Sequence, residues 1–409
     1  MEILYERCAG LDVHKKTVMV CVLTPGPGAE PHKEVREYQT TTAELRALAA
    51  WLRECGVTHA AMEATGVYWR PIFNVLESGC ELILVNARQV RNVPGRKTDK
   101  ADCEWLASLL RHGLLQASFV PPQEVRELRD LCRMRTSLVR EGVQVGNRLR
   151  KVLEDANIKL DSVASNTLGQ SGRDMIPALI DGEEDPVELA ELARGRLRSK
   201  KAALEAALEG QVREHHRFLL RQWMKLLKTL EEQVAEVADE IERRLDPFDW
   251  AAELLVTVPG IDHTAARKLI AEIGVEMERF PSSRHLASWA GLCPGNYESA
   301  GKRRSGKMRE GNPWVRRALC QAAWAASRTP GTYLAAQYHR LVPHRGKKRA
   351  IMAVAHSLLG IAYQMLKTGA SFVDLGGDYF QQRNAEALRR RAVKTLEEIG
   401  YHVALTKAA

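Results

Sequence analysis

Apolar and polar positions alternate in short runs at the start of the chain. Residues 8–13 and 17–23 read as two strands, and the tight link His14-Lys15-Lys16 between them predicts a hairpin. Residues 33–39 predict a third strand. From Thr42 the period lengthens: Leu45, Leu48, Ala49 and Leu52 fall on one helical face over 42–55, after threonines able to cap a helix. A buried strand at 59–63, a helix over 68–78, a strand at 81–85 and a helix over 98–110 follow. Three strands and then alternating helix and strand is an α/β pattern with a mixed sheet, and it places a first domain at 1–120.

Beyond this the pattern is helical. Residues 121–160 predict helix. Residues 161–186, rich in Ser, Gly, Asp and Pro, read as a loop, and 187–246 as a long helical region. Within it Leu220, Trp223, Leu227, Leu230, Val234, Val237 and Ile241 recur at alternating spacings of 3 and 4, an a/d heptad seam. The seam predicts either self-association or a helical hairpin inside one chain. Residues 121–246 thus form a helical, coiled-coil region with a loop near 161–186. Composition changes at Pro247. The turn Pro259-Gly260-Ile261-Asp262 before a helix resembles a helix-hairpin-helix element, in which backbone N–H groups at Gly260 meet a phosphate. Residues 247–370 read as a mainly helical C-terminal domain and 371–409 as a peripheral tail. The fold class expected is α/β + α.

Charge changes the picture. The chain has 409 residues, 60 Lys+Arg against 51 Asp+Glu, and a formal charge of +9. Residues 299–349 hold 13 of the basic residues and a single acid, Glu310, a net of +12; the remainder is slightly acidic at −3. Such a local excess points to phosphate binding. The eight cysteines are scattered without a CxxC pair, so reduced, buried thiols are expected and a metal finger is not. The start lacks a basic n-region and an apolar h-region, and residues 351–366 are interrupted by His356, Ser357 and Gln364. The expectation is a cytoplasmic protein with no membrane partner.

Four acids stand out by placement. Asp12 lies in a strand, Glu63 ends another, and Asp99 and Asp102 open a helix, where an i,i+3 pair shares one face. Carboxylates at strand and helix ends can converge on hard divalent ions, which activate a nucleophile and stabilise a leaving oxygen on a phosphodiester. Their order in an α/β domain is that of an RNase H-like or RuvC-like nuclease. Arg88, Arg91, Arg96, Lys97 and Lys100 flank the last two acids and would draw phosphate in, while also offsetting carboxylate repulsion.

In the basic region Ser299 and Gly301 read as an exposed loop, followed by Lys302, Arg303, Arg304, Lys307 and Arg309, with Arg316 and Arg317 beyond. Guanidinium groups could hold a phosphate and stabilise charge growing on it while a hydroxyl attacks. Composition leaves Ser299, Ser305 and Tyr297 all open as that hydroxyl.

The segments Gly-Leu-Asp12-Val-His-Lys, Glu63-Ala-Thr-Gly-Val-Tyr-Trp and Lys97-Thr-Asp99-Lys-Ala-Asp102 resemble the DEDD set of insertion sequence 110 family transposases. Val258-Pro-Gly-Ile261, Ala290-Gly-Leu-Cys-Pro294, Ser299-Ala-Gly-Lys302 and Gly311-Asn-Pro-Trp-Val-Arg316 resemble that family's C-terminal transposase domain. The resemblance covers residues 8–330; Ala300 departs from it where the family often has a second glycine.

The resemblance implies excision and insertion of a mobile element. It implies Mg²⁺ (or Mn²⁺) on Asp12, Glu63, Asp99 and Asp102, and Ser299 as a nucleophile forming a covalent phosphoserine link to DNA. The acids of one subunit would work with Ser299 of another, in a dimer or tetramer. A structured non-coding RNA would pair with the element ends and the target DNA, so that sequence is read largely by base pairing. The setting would be a prokaryotic cytoplasm, at the nucleoid. Two other readings stand beside this one: a metal-dependent endonuclease or junction resolvase that forms no covalent intermediate, and a non-catalytic nucleic-acid-binding scaffold.

Overall fold

The alternation at the start of the chain becomes five strands: β1 (Cys8–Val13), β2 (Thr17–Thr24), β3 (His32–Gln39), β4 (His59–Glu63) and β5 (Glu81–Val85). The computed structural model describes residues 2–28, 30–64, 66–86, 102–295, 297–299, 302–305, 308, 310–383 and 385–405, with the backbone alone for 297–299, 302–305 and 386–388. The chain divides into two compact units, Met1–Val120 and Pro121–Ala409.

In the first unit the sheet order is β3-β2-β1-β4-β5. The first three strands pair antiparallel through short links, and β1, β4 and β5 pair parallel. Parallel neighbours need crossovers. α1 (Thr42–Glu54) leads from β3 into β4, and α2 (Trp69–Leu76) joins β4 to β5. The period of two sorts the strand side chains. Ala9, Leu11 and Val13 with Val18, Val20 and Val22 face Leu45 and Leu48 of α1 and Ile72 and Leu76 of α2. Cys8, Cys21, Leu23, Ala61 and Val85 face the other way, against Cys103, Leu106, Ala107 and Leu110 of α3 (Asp102–Arg111). This is the mixed sheet expected, covered by helices on both faces.

The second unit rests on two long helices, α4 (Gln123–Asp155) and α9 (Glu214–Leu245). They run antiparallel: Glu127 near the start of α4 meets Arg244 near the end of α9 at 2.5 Å, and Asp155 at the end of α4 meets His216 at 2.9 Å. Here the heptad seam finds its partner. Leu227 and Leu230 pack on Leu138 and Val145 of α4, with Trp223, Val234 and Val237 beside them. Of the two expectations for the seam, the helical hairpin within one chain is present, with α4 covering Leu227 and Leu230.

The expected loop at 161–186 is a correction. It holds α5 (Leu160–Val163) and α6 (Gln170–Asp181), with α7 (Pro186–Glu191) starting at its end. The turn-forming residues are helix caps rather than loop filler. Gly182 closes α6 with φ 107°, and the Asp185 carboxylate accepts from the Val187 N–H just ahead of Pro186. Gly172 lies so close to the preceding segment that a Cβ would stand 1.8 Å from the Thr167 carbonyl oxygen. Met175, Ile176 and Leu179 then join Leu204 and Leu208 of α8 (Lys201–Leu208) and Leu220 in one core. The region after 187 is likewise several helices, and only its last part is long.

From Asp249 follow α10 (Asp249–Val256), α11 (His263–Ile273), α12 (Ser283–Trp289), the hairpin β6 (Tyr297–Ser299) and β7 (Lys302–Ser305), then α13 (Pro313–Ala326), α14 (Tyr333–Arg345) and α15 (Lys347–Thr368). α10 and α11 flank the turn read as a helix-hairpin-helix-like element, with the Asp262 carboxylate accepting from the Ala265 N–H at 2.7 Å. α15 extends beyond the apolar run read from sequence, and it is long and apolar enough by length and composition to cross a bilayer. Its apolar side chains instead fill the unit: Ile351, Val354, Leu358 and Leu359 are buried, and the Tyr363 hydroxyl donates to the Phe280 carbonyl at 3.1 Å. The last helices are α16 (Tyr379–Arg383) and α17 (Ala385–Glu398). Phe380 of α16 stacks on Tyr333 at 5.1 Å and lies under Arg340, so the part of the tail around α16 is docked.

Candidate functional site

The carboxylates are placed by strand register. In the parallel pair β1–β4, Leu11 stands opposite Met62. The next residue on each strand is an acid, so Asp12 and Glu63 sit side by side at the strand ends. The alternation puts both on the face that α3 covers, and both are half-buried, Asp12 at 22% side-chain exposure. Asp102 is the first residue of α3. Gly10 decides how near that helix comes: a Cβ there would lie 2.1 Å from the Cys103 carbonyl oxygen and 2.4 Å from the Ala107 nitrogen. The helix backbone therefore rests directly on β1, two residues before Asp12. Burial first, and then the nearby charges of Glu104 and Asp12, push the Cys103 thiol up.

The fold thus brings Asp12, Glu63 and Asp102 to one end of one face. Hard carboxylate oxygens are the donor type a divalent cation takes, although these three do not lie within 4.8 Å of one another. His14 Nε2 lies 3.1 Å from Asp12 Oδ2, at the rim. Asp99, Arg88, Arg91, Arg96, Lys97 and Lys100 lie outside the described residues.

Among the described residues, the group whose ligand atoms all lie within 4.8 Å of one another is Asp155, His215 and His216, and not the three acids. Its central ring is already committed. His216, 1% exposed, accepts the Arg213 N–H at Nδ1 (3.2 Å), which leaves the proton on Nε2 to bond Asp155 at 2.9 Å. The pair ties the start of α9 to the end of α4, and the bond from His216 holds the Asp155 carboxyl below its ordinary value.

Ser299 ends β6, opposite Lys302 at the start of β7, and Glu298 stands opposite Arg303. The expected exposed loop is a hairpin, extended towards its foot by a bridge between Pro294 and Met308. The foot explains two sequence motifs. A Cβ on Gly311 would lie 2.3 Å from the Gly291 nitrogen, so the segments 290–294 and 311–316 meet backbone to backbone. Asn312 then caps α13, accepting from the N–H groups of Trp314 (2.9 Å) and Val315 (3.2 Å), with Pro313 in the first turn. Arg304 lies in β7, and Arg316 and Arg317 lie on α13; Lys307 and Arg309 fall outside the described residues.

Gly260 has φ 90°, and a Cβ would meet the Ala322 carbonyl oxygen at 2.4 Å and the Ala326 nitrogen at 2.5 Å. Close packing of the turn on α13 accounts for this glycine, separately from any phosphate.

Sequence reasoning missed a buried network beneath the motif. Glu272, on α11 and 3% exposed, receives both Arg133 nitrogens (2.7 and 2.8 Å) and the Asn312 amide (2.7 Å). Arg129 donates to the carbonyls of Ala271 and Glu272. The signal in the sequence was Asn312 inside a motif; nothing local marks Arg133 or Glu272.

Comparison with known proteins follows the same two groups of residues. Residues 9–158 match the DEDD-type IS110 transposase model, and residues 252–339 match the model of the transposase IS116/IS110/IS902 family. A putative transposase of Sinorhizobium fredii is 25% identical over 348 residues, covering 83% of this chain and 76% of the relative. A probable family 20 transposase of Pseudomonas aeruginosa is 26% identical over 324 residues, covering 78% and 83%. A pilin gene-inverting protein of Moraxella lacunata is 27% identical over 225 residues, covering 52% and 68%. With both family domains matched in order, and relatives that bear the transposase name aligned over most of its length, the chain belongs to the IS110 family of transposases, enzymes that recombine DNA.

Proposed function

We propose that this transposase excises and inserts an insertion sequence by joining two kinds of chemistry, a carboxylate-held metal in the first unit and a serine nucleophile in the second. The observation that carries the reading is the shared face of Asp12, Glu63 and Asp102. With Asp99 they would hold Mg²⁺ or Mn²⁺. Bound there, the ion supplies Lewis-acid stabilisation of charge on a phosphate. The carboxylates would hold it from two strand ends and one helix start.

Ser299 attacks a DNA phosphorus. Its oxygen–phosphorus bond forms as the bond to one strand oxygen breaks; the hydroxyl proton is lost and the departing strand oxygen gains one. Energy is conserved in the phosphoserine ester, so reversal by another strand end joins DNA. Lys302, Arg303 and Arg304, next to Ser299 in the chain, would hold the phosphate, helped by Lys307, Arg309, Arg316 and Arg317. The relative named for inverting a pilin gene favours rejoining over hydrolysis.

A structured RNA guide supplies target choice in this reading, and a homo-oligomer holds the two DNA partners. Helices α4 and α9 pack on each other within the chain, and the oligomer rests on the need to hold two DNA partners. The place of action is the nucleoid of a prokaryotic cell.

The test is a denaturing gel of end-labelled DNA carrying element ends, incubated with protein, Mg²⁺ and RNA transcribed from the element. Wild type should leave a protein–DNA adduct, Ser299→Ala none, and Asp12→Asn should suppress strand exchange. Cleavage without adduct in the wild type points to simple hydrolysis; normal recombination by Ser299→Ala removes the serine from the mechanism.

A further inference from the structure

One cleft of the second unit gathers more positive charge than its single carboxylate offsets. Helix α4 brings Arg133 to it, α11 brings Lys268, and α13 brings Trp314 and Arg317, with Arg140 of α4 beside the indole. Three guanidinium groups surround a single indole: Arg133, Arg140 and Arg317 lie 5.4, 5.2 and 5.5 Å from the Trp314 ring centre. Among the described residues lining the cleft the one carboxylate is Glu272, and it is already engaged by Arg133, Arg129 and Asn312. Lys268, Arg140 and Arg317 form no ion pair among the described residues.

That arrangement has a physical cost. Lys268 is half-buried, and burial first, then the charge of Arg135, push its ammonium group down from its ordinary value. Like charges collected in a partly dry cleft repel one another more than they would in water. An incoming anion relieves both terms. The cleft leaves about 20 Å³, enough for a water or a phosphate oxygen. The indole keeps the guanidinium planes in place without neutralising them. The cleft also stands where α13 begins, at the foot of the hairpin that carries Ser299.

We propose that this cleft seats one backbone phosphodiester of a nucleic acid, with Lys268 and Arg317 as the direct partners of its oxygens and Trp314 as the platform that orients the arginines. Only the naming of a nucleic acid as the source of the phosphate rests on the transposase reading.

The test uses the full chain in EDTA, so that no strand is cut, with fluorescence anisotropy on two probes: a mixed-sequence DNA duplex and an RNA hairpin. Lys268→Gln with Arg317→Gln should weaken binding roughly ten-fold or more. With one phosphate fewer neutralised, the slope of log affinity against log salt should flatten by about 0.9 on the duplex, and on the hairpin by about 0.7 where the seated phosphate lies in its single-stranded loop. Lys228→Gln, an exposed position on α9, should change neither. Weakening confined to the duplex identifies a DNA phosphate, and weakening confined to the hairpin an RNA phosphate. Unchanged affinity and slope on both probes overturn the proposal, and a lowered thermal midpoint with unchanged binding would show the cations to be structural. A protein that binds through this cleft yet forms no serine adduct would sink the nucleophile and leave the phosphate seat standing.

Discussion

Gly10 and Cys103 meet backbone to backbone: a methyl group on Gly10 would stand 2.1 Å from the Cys103 carbonyl oxygen. This close approach lays α3 on β1 and carries Asp102 to the end of the sheet where Asp12 and Glu63 lie. Gly10→Ala must push the helix away. It should destabilise the first unit by about 1–3 kcal/mol, as overpacking does, and weaken Mn²⁺ binding measured by calorimetry. An unchanged urea midpoint with unchanged Mn²⁺ affinity would mean that α3 does not depend on this glycine.

Glu272 is the hub of the second unit's buried network, and its removal leaves two arginines facing each other. Glu272→Gln should cost on the order of 3 kcal/mol in denaturant unfolding. Replacing Arg133 and Glu272 together by methionine should recover much of that stability, because the pair is removed rather than broken. A single variant as stable as wild type would show the network to be solvated.

Leu227 is 5% exposed and sits in the seam against α4. Leu227→Ala should destabilise by about 2–5 kcal/mol through the cavity it leaves. Sedimentation should show the same mass as wild type. A smaller species that kept its folded stability would return the seam to self-association.

Burial raises several thiols, Cys21 to about 12 and Cys132 to about 11. Both are proton-bound in the folded and unfolded chain below the ordinary value of 9.0, so their contribution is complete there. As pH rises past 9.0 the unfolded chain loses these protons first, and stability falls until the folded thiols ionise near 11 to 12. Denaturant midpoints measured upward from pH 9 should decline, and less steeply in Cys132→Ala. A flat profile would contradict the burial of these thiols.

Much of the first unit was legible because its signals are local. The switch from a period of two to one of 3.6 marks strands and helices whatever they pack against, and each strand lies within a residue or two of its expected place. Asp12 and Glu63 stood out because an acid at the end of an apolar strand is unusual by itself. The helices at 160–191 were hidden because Gly, Ser, Asp and Pro serve equally as loop residues and as helix caps, and only the neighbours at 204–220 show which. Ser299 was legible as a basic-region serine, but its place opposite Lys302 in a hairpin was not.

The sequence by itself determined the element types, the charge concentrated in 299–349, and the family motifs, since each is written in residues close together along the chain. Only the tertiary structure decided that the seam packs on α4, that Gly10 admits α3 to the carboxylate face, and that Arg133 meets Glu272 across 139 positions. Those outcomes depend on which surfaces exclude water together. Pairings of that kind are set by shape and packing across the whole unit, and no local period encodes them.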